Sequence, residues 1–241
     1  MVAAPRAVSE LPALVRVRRL AGRWWALVPL GSIVVVVFAI RYVSDTAKGL
    51  TYLALVAVPP LAALALGWCA RGSRRWLALV AALLFAIAWV WHRSLSGEAA
   101  AALLSALSCV TLGVLLASVT PPGWLKLGIV VMAAADTWLV VSDLLQAPNA
   151  TLIAAHPAAG LPRLQTAIFG SVSMGYGDFF CAALLGGVLA SRPRLQGRAA
   201  LMTLAFAAAF DLLFFVVSEL PATVPVALAL VAAEVWNRFA T

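Results

Sequence analysis

Two aspartates, Asp136 and Asp178, lie inside long apolar stretches of the sequence, where an acidic side chain is unusual. A charged residue near the centre of a membrane-spanning helix costs at least ~2.5–3.5 kcal/mol, so such a residue is a candidate for function. Two carboxyl groups that meet can share a proton. One carboxylate then activates water, while the other acid protonates the carbonyl oxygen of a peptide bond. The pair therefore indicates acid–base hydrolysis.

The two aspartates are predicted at the same depth. Asp136 lies about ten residues before the end of its apolar stretch, and Asp178 lies about eleven after the start of the next one. At a rise of ~1.5 Å per residue, each lies ~15 Å below the same membrane face. We therefore expect two antiparallel neighbouring helices to bring the carboxyl groups together.

Glycines precede the second aspartate. Gly175 and Gly177 flank Tyr176 just before Asp178. Glycine weakens a helix and lets another backbone approach closely. We therefore expect room here for an extended substrate strand, which a helical substrate can supply once it is locally unwound.

Two prolines interrupt the last apolar stretch near its start. Pro221 and Pro225 are four residues apart, with Ala222 and Thr223 after the first of them. Proline cannot donate a backbone hydrogen bond, so we predict a broken backbone there. The predicted topology directs this segment toward the aspartate pair.

Other polar residues are weaker candidates. Asp143, two turns along the same helical face as Asp136, could compete for the catalytic role, but it lies nearer the end of its stretch, and we expect it to be solvated. Asp211 could support the pair, line a water path or relay protons, and the sequence leaves these roles open. The two histidines, His92 and His156, are far apart, and the three cysteines lack ligand spacing, so we predict no metal and no cofactor.

The composition predicts that these residues lie on membrane-spanning helices. Hydrophobic residues make up 64% of the 241 residues and charged residues 11%, against roughly 45–50% and about 25% in soluble domains. Apolar runs recur at the ~20-residue length that spans a bilayer. We predict an all-α polytopic membrane helix bundle of eight transmembrane helices. Its spans are predicted at residues 24–43, 50–69, 75–94, 98–119, 124–145, 167–190, 199–218 and 219–238.

Basic residues lie at the ends of the apolar runs, which indicates topology determinants and no nucleic-acid partner. A cytoplasmic N-terminus leaves Arg41, Lys48, Arg93 and Arg163 outside and the other thirteen of the 17 basic residues inside. Both termini are therefore predicted to be cytoplasmic. The arginine-rich, lysine-poor composition indicates a prokaryotic plasma membrane.

The chain divides into three predicted parts. Residues 1–23 form a basic cytoplasmic segment, in which residues 8–23 are predicted to be an amphipathic helix on the membrane surface. Residues 24–119 form an N-terminal membrane part of four helices. Residues 120–241 form a C-terminal membrane part that carries the aspartate pair and the proline-broken last helix.

These residues resemble the presenilin and signal peptide peptidase family of intramembrane aspartyl proteases, marked by Tyr-Asp, Gly-x-Gly-Asp and Pro-Ala-Leu in that order. The segment from Gly175 to Asp178 matches the second motif in full. Ala135 stands before Asp136 where the tyrosine is expected, and Thr223 replaces the leucine of the third motif. The resemblance covers residues 124–238.

The resemblance implies a presenilin-like fold and catalysis by Asp136 and Asp178. Gly175, Tyr176 and Gly177, together with the segment from Pro221 to Thr223, would then support the active site and contact the substrate. The predicted orientation is similar to that of signal peptide peptidase, which implies single-span substrates with a cytoplasmic N-terminus. The substrate, the activity of this divergent chain and its oligomeric state remain open.

The same residues are also compatible with a structural role, a transporter or an ion channel. The segment before Asp178 could be a small-residue helix-packing face, and Asp136 could bridge helices through a hydrogen bond. A proton-coupled transporter could use Asp136, Asp178 and Asp211 as a relay. The sequence from Ser173 to Asp178 also resembles a potassium-channel filter, but the apolar stretch that follows it is too short for a pore-lining helix.

Overall fold

A computed structural model describes residues 4–42, 45–144, 146–155, 157–158, 160–170, 172–215 and 220–239. The chain is mostly helical, at 79%, as the sequence predicts. The helices and strands are α1 (Pro12–Val17), α2 (Val28–Tyr42), α3 (Thr46–Leu64), α4 (Ala78–Val90), α5 (Leu95–Val119), α6 (Pro122–Val141), α7 (Gln146–Ala154), β1 (Thr166–Phe169), β2 (Val172–Gly175), α8 (Tyr176–Val188), α9 (Pro193–Asp211) and α10 (Val224–Phe239).

Four helical segments among the described residues are long and apolar enough to cross a membrane. They correspond to the first, second, fourth and fifth predicted spans. Their bounds are Arg23–Tyr42, Thr46–Cys69, Leu95–Val119 and Pro122–Val141. Two other apolar helical segments, Arg75–Val90 and Tyr176–Val188, are shorter. The coarser prediction of apolar helices able to cross a membrane therefore holds for the described residues, whereas eight spans and a presenilin-like fold are not confirmed.

The sixth predicted span, residues 167–190, is not one helix, and that part of the prediction is wrong. Strands β1 and β2 pair antiparallel, with Thr166 opposite Gly175, and α8 begins only after them. Gly170 in the turn has a φ of +61°, a left-handed conformation that glycine adopts readily but a helix does not contain. The Gly170 N–H donates to Glu98 Oε2 at 2.9 Å, which ties the hairpin to α5.

The last helix is also shorter than predicted. Residue Glu219, at the start of that span, lies outside the described residues. Helix α10 begins at Val224 and has Pro225 in its first turn, where the missing N–H of a proline costs no helical hydrogen bond.

Helix α5 lies at the centre of the packing. Its first half contributes Leu104 and Leu107 to a core shared with α3 and α4. Its last residues, Leu116 and Val119, pack into a second core with α6, α8, α9 and α10. One helix therefore connects both cores and supports α8, which carries Asp178.

The N-terminal segment packs against the end of the bundle opposite the hairpin. Residues 8–23 form short helical turns around α1 instead of the predicted continuous amphipathic helix. The Arg71 N–H donates to the Ala4 carbonyl, and the Arg6 N–H donates to the Cys69 carbonyl. Leu11 is buried in a small core with Cys69 and Val114. Because the N-terminal segment makes these hydrogen bonds and buried apolar contacts with the helix bundle, it does not form one helix on the membrane surface.

Candidate active site

Asp136 lies near the C-terminal end of α6 and is bound by the turn that precedes α10. The Thr223 hydroxyl donates to Asp136 Oδ2 at 2.6 Å, and the Thr223 N–H donates to the same oxygen at 3.3 Å. The Thr223 residue is only 3% exposed. Hydrogen bonds to an ionised group are stronger than those between neutral groups. The two donors therefore orient this carboxyl group firmly.

The Pro221–Thr223 segment has the broken backbone that the two prolines predict. It lies outside any helix, and the Val224 N–H donates to the Pro221 carbonyl at 3.2 Å in a turn. Ala222 is half-buried between its neighbours. Because the segment is a turn, the backbone N–H of Thr223 is free to bind Asp136, which a helical N–H in mid-helix would not be.

Asp178 is the third residue of α8. Its Oδ2 accepts a hydrogen bond from the Gly175 N–H at 3.0 Å. The position lies in the first turn of the helix, where the exposed N–H groups favour a negative side chain. Sequence reasoning placed Asp178 about eleven residues inside a helix, and that depth is wrong because the hairpin replaces the first part of the predicted span.

The two aspartates lie on neighbouring helices. Helices α6 and α8 pack against each other, and the Asp136 carboxyl lies within electrostatic range of the Asp178 carboxyl. Cys181 is fully buried one turn beyond Asp178, and its thiol lies within electrostatic range of both carboxyls. Asp136 is five residues from the end of α6 and Asp178 two from the start of α8. Both carboxyls therefore lie toward the end of the bundle that carries the hairpin.

Tyr176 holds the start of α8 against α5. Its hydroxyl makes a 2.7 Å hydrogen bond with the Ser108 hydroxyl, and the Cys109 thiol lies 3.7 Å from its carbonyl oxygen. The Ser105 hydroxyl donates to the Leu164 carbonyl at 3.0 Å, just before β1. Sequence reasoning did not single out these α5 residues.

The sequence contains a pattern that could have predicted this hydrogen-bond network. Ser105, Ser108 and Thr111 recur every three residues in α5 and are almost fully buried. Residues three apart share one face of a helix. A polar face on an otherwise apolar helix could have indicated hydrogen bonding to the neighbouring elements.

Space remains beside the glycines. Gly175 and Gly177 are exposed. A Cβ atom built on Gly177 would meet nothing within 4 Å, whereas one on Gly175 would lie 3.3 Å from Asp178 Oδ2. The open side of Gly177 is consistent with the expected room for a substrate strand.

The other aspartates lie apart from this cluster. Asp143 follows the end of α6 in a turn, is exposed and has a φ of 57°. Its exposure agrees with the expected solvation. Asp211 is the exposed last residue of α9.

No protein family, curated protein or solved structure matches this chain. The part of the chain that the structure describes is mostly helical and contains four helices long and apolar enough to cross a membrane. Near one end of that bundle, two aspartates and a threonine from three separate segments converge.

Proposed function

We propose that this protein is an intramembrane aspartyl protease that uses Asp136 and Asp178, similar to the presenilin and signal peptide peptidase family. The observation that carries the proposal is the convergence of all three sequence motifs. The two helices that carry the aspartates pack against each other, and Thr223 of the third motif donates two hydrogen bonds to the first aspartate. The motifs are distant in sequence, so a generic helix bundle would not be expected to bring them together.

The proposed reaction is hydrolysis with one shared proton. The ionised aspartate accepts a proton from water, whose oxygen attacks the peptide carbonyl carbon. The protonated aspartate gives its proton to the carbonyl oxygen. The aspartate that took the proton from water then gives it to the leaving nitrogen as the C–N bond breaks, and the other aspartate takes a proton back from a hydroxyl of the tetrahedral diol, which leaves the carboxylic acid product. Because Thr223 holds Oδ2 of Asp136, the Oδ1 atom of that carboxyl is the one available to water or to Asp178.

The proposed substrate is a single-span membrane peptide in an extended conformation at the cut site. The open side of Gly177 supports this class because a peptide backbone can approach a glycine closely. The charge distribution supports two cytoplasmic termini, and the arginine-rich, lysine-poor composition supports a prokaryotic plasma membrane. Substrates would then have a cytoplasmic N-terminus, as for signal peptide peptidase.

A hydrolysis assay in liposomes tests this proposal. The purified protein is reconstituted with a labelled single-span peptide, and Asp136→Asn and Asp178→Asn are compared with the unsubstituted chain. Asparagine keeps an oxygen that can accept the bonds from Thr223 and Gly175, so both variants are expected to fold. We expect peptide hydrolysis to fall to background in each.

Asp143→Asn is the matched control because Asp143 is exposed and its positive φ suits asparagine. Its hydrolysis rate is expected to equal that of the unsubstituted protein. Persistent turnover in both Asp136→Asn and Asp178→Asn would contradict the proposal. If proton-coupled solute flux disappeared in those same variants, the proton-relay alternative would replace it.

A further inference from the structure

A cavity of about 430 Å³ lies beside the hairpin, where α4 ends and α5 begins. It is separate from the aspartate pair. The residues that matter for its chemistry are His92, Arg93, Glu98, Arg163 and Thr166.

The charge of this cavity is positive. Arg93 and Arg163 contribute two guanidinium groups, and Glu98 is the one acid among the lining residues. The Glu98 Oε2 atom is already engaged by the Gly170 N–H. The Arg163 Nη1 atom donates to the Ile153 carbonyl at 3.2 Å, which fixes the guanidinium and leaves its other donors for a ligand. A planar guanidinium binds carboxylate or phosphate oxygens with paired hydrogen bonds.

A buried hydroxyl in the cavity wall lacks a partner. The Thr166 residue is 8% exposed, and its Oγ1 has no hydrogen-bond partner in the part of the chain that the structure describes. A buried polar group left unsatisfied costs about 1–3 kcal/mol. The Oγ1 atom has almost no accessible surface, so a ligand oxygen in the cavity supplies the missing partner only when the Thr166 side chain turns toward it.

The cavity lies at the level of the helix ends. Trp89 and Trp91, at the end of α4, are exposed beside His92. Exposed tryptophans at the ends of apolar helices are typical of the membrane interface. Lipid phosphates lie at this level on both faces of a bilayer, and a pair of guanidinium groups at this level can bind phosphate oxygens.

We propose that this cavity is a binding site for a phosphate group, supplied by the head group of an anionic phospholipid. Arg93 and Arg163 would bind the phosphate oxygens, and the Thr166 hydroxyl would donate to the ligand after its side chain turns toward the cavity. Thr166 pairs with Gly175 across the hairpin, and the Gly175 N–H binds Asp178. If the proposed proteolysis holds, a bound head group would therefore stabilise the strand that positions Asp178.

Native mass spectrometry of the full chain in detergent tests the site without any peptide substrate, so its result is independent of the proteolysis assay. The chain is titrated with phosphatidylglycerol and, separately, with phosphatidylcholine. We expect tighter retention of phosphatidylglycerol, and at least a tenfold weaker affinity for it in the double variant Arg93→Gln, Arg163→Gln. Arg41→Gln, a basic residue predicted on the same membrane side, is expected to leave the affinity unchanged.

Thr166→Val provides a second variant that keeps the side-chain shape. It is expected to weaken phosphatidylglycerol binding several-fold without lowering the unfolding temperature of the lipid-free protein. Equal affinity in the unsubstituted chain and the double arginine variant would overturn the proposal. Inorganic phosphate is titrated as the third ligand. If the chain binds phosphate but shows no preference for phosphatidylglycerol over phosphatidylcholine, the claim that a lipid supplies the phosphate group is overturned.

Discussion

Under the proposed function, two residues differ from the motifs of the family that the chain resembles, and one of them contacts the first aspartate. Ala135 stands where a tyrosine is expected before Asp136, which removes a hydroxyl group. Thr223 stands where a leucine is expected, and its hydroxyl donates to Asp136. Under the proposed function, we infer that the Thr223 hydroxyl positions Asp136, because it holds one oxygen of that carboxyl.

Thr223→Val tests this inference. The substitution removes the hydroxyl but keeps the branched shape and the backbone N–H. A hydrogen bond to a charged group contributes about 1.5–3 kcal/mol, so we expect hydrolysis of a labelled single-span peptide to slow by about 10–100-fold. Thr223→Ser keeps the hydroxyl and is expected to retain most of the activity. Equal rates in the serine and valine variants would show that the hydroxyl is dispensable.

The elements that position the aspartates are held by close helix packing. A Cβ atom on Gly113 of α5 would lie 2.7 Å from the Ala183 carbonyl oxygen of α8. On the facing side, a Cβ atom on Gly187 would lie 3.0 Å from the Gly113 carbonyl oxygen. The two backbones are thus nearly in contact, and the position of α8 depends on the absence of side chains there.

Gly113→Ala is therefore expected to push α8 away from α5. Overpacking of this kind costs about 1–3 kcal/mol, which we expect as a lower thermal unfolding midpoint in detergent together with slower peptide hydrolysis. Gly49→Ala is the control, because a Cβ atom there meets nothing within 4 Å and alanine favours the helix interior. An unchanged midpoint in Gly113→Ala would contradict the packing argument.

The sequence predicts the long elements better than the short ones. Runs such as Leu95–Val119 are apolar over the whole length of a span, so their helices are predictable from composition alone. The hairpin is not predictable from composition, because the Gly170 N–H in its turn donates a hydrogen bond to Glu98, which is 72 residues away. The sequence motifs predicted that Asp136 and the segment containing Thr223 would approach, but the bond between them joins residues 87 apart and depends on the turn before α10.

At the scale of the whole molecule, one buried side chain joins the N-terminal segment to the bundle. The Gln196 Nε2 atom donates to the Pro5 carbonyl at 3.0 Å and to the Gly186 carbonyl at 2.8 Å. Its Oε1 atom accepts from Arg71 Nε at 3.1 Å. A single amide therefore connects the chain start, the segment after α3, α8 and α9.

Gln196→Leu is expected to destabilise the protein, because the substitution leaves partners of a buried amide unsatisfied at about 1–3 kcal/mol. The expected result is a lower thermal unfolding midpoint and faster proteolysis of the N-terminal segment. Gln146→Leu, at an exposed residue of α7, is the control and should leave both unchanged. If Gln196→Leu matched that control, the amide would not anchor the segment.

Cysteine cross-linking tests most directly whether Asp136 and Asp178 meet in the folded protein. In a chain without its native cysteines, Asp136→Cys and Asp178→Cys are treated with a short thiol-specific cross-linker and digested with trypsin, which can cut between them at Arg163. We predict that the peptides on either side of Arg163 remain linked. Trp138→Cys with Asp178→Cys should give no link, because Trp138 is on the same helix but exposed. Equal linkage in both pairs, or none between positions 136 and 178, would contradict an aspartate pair.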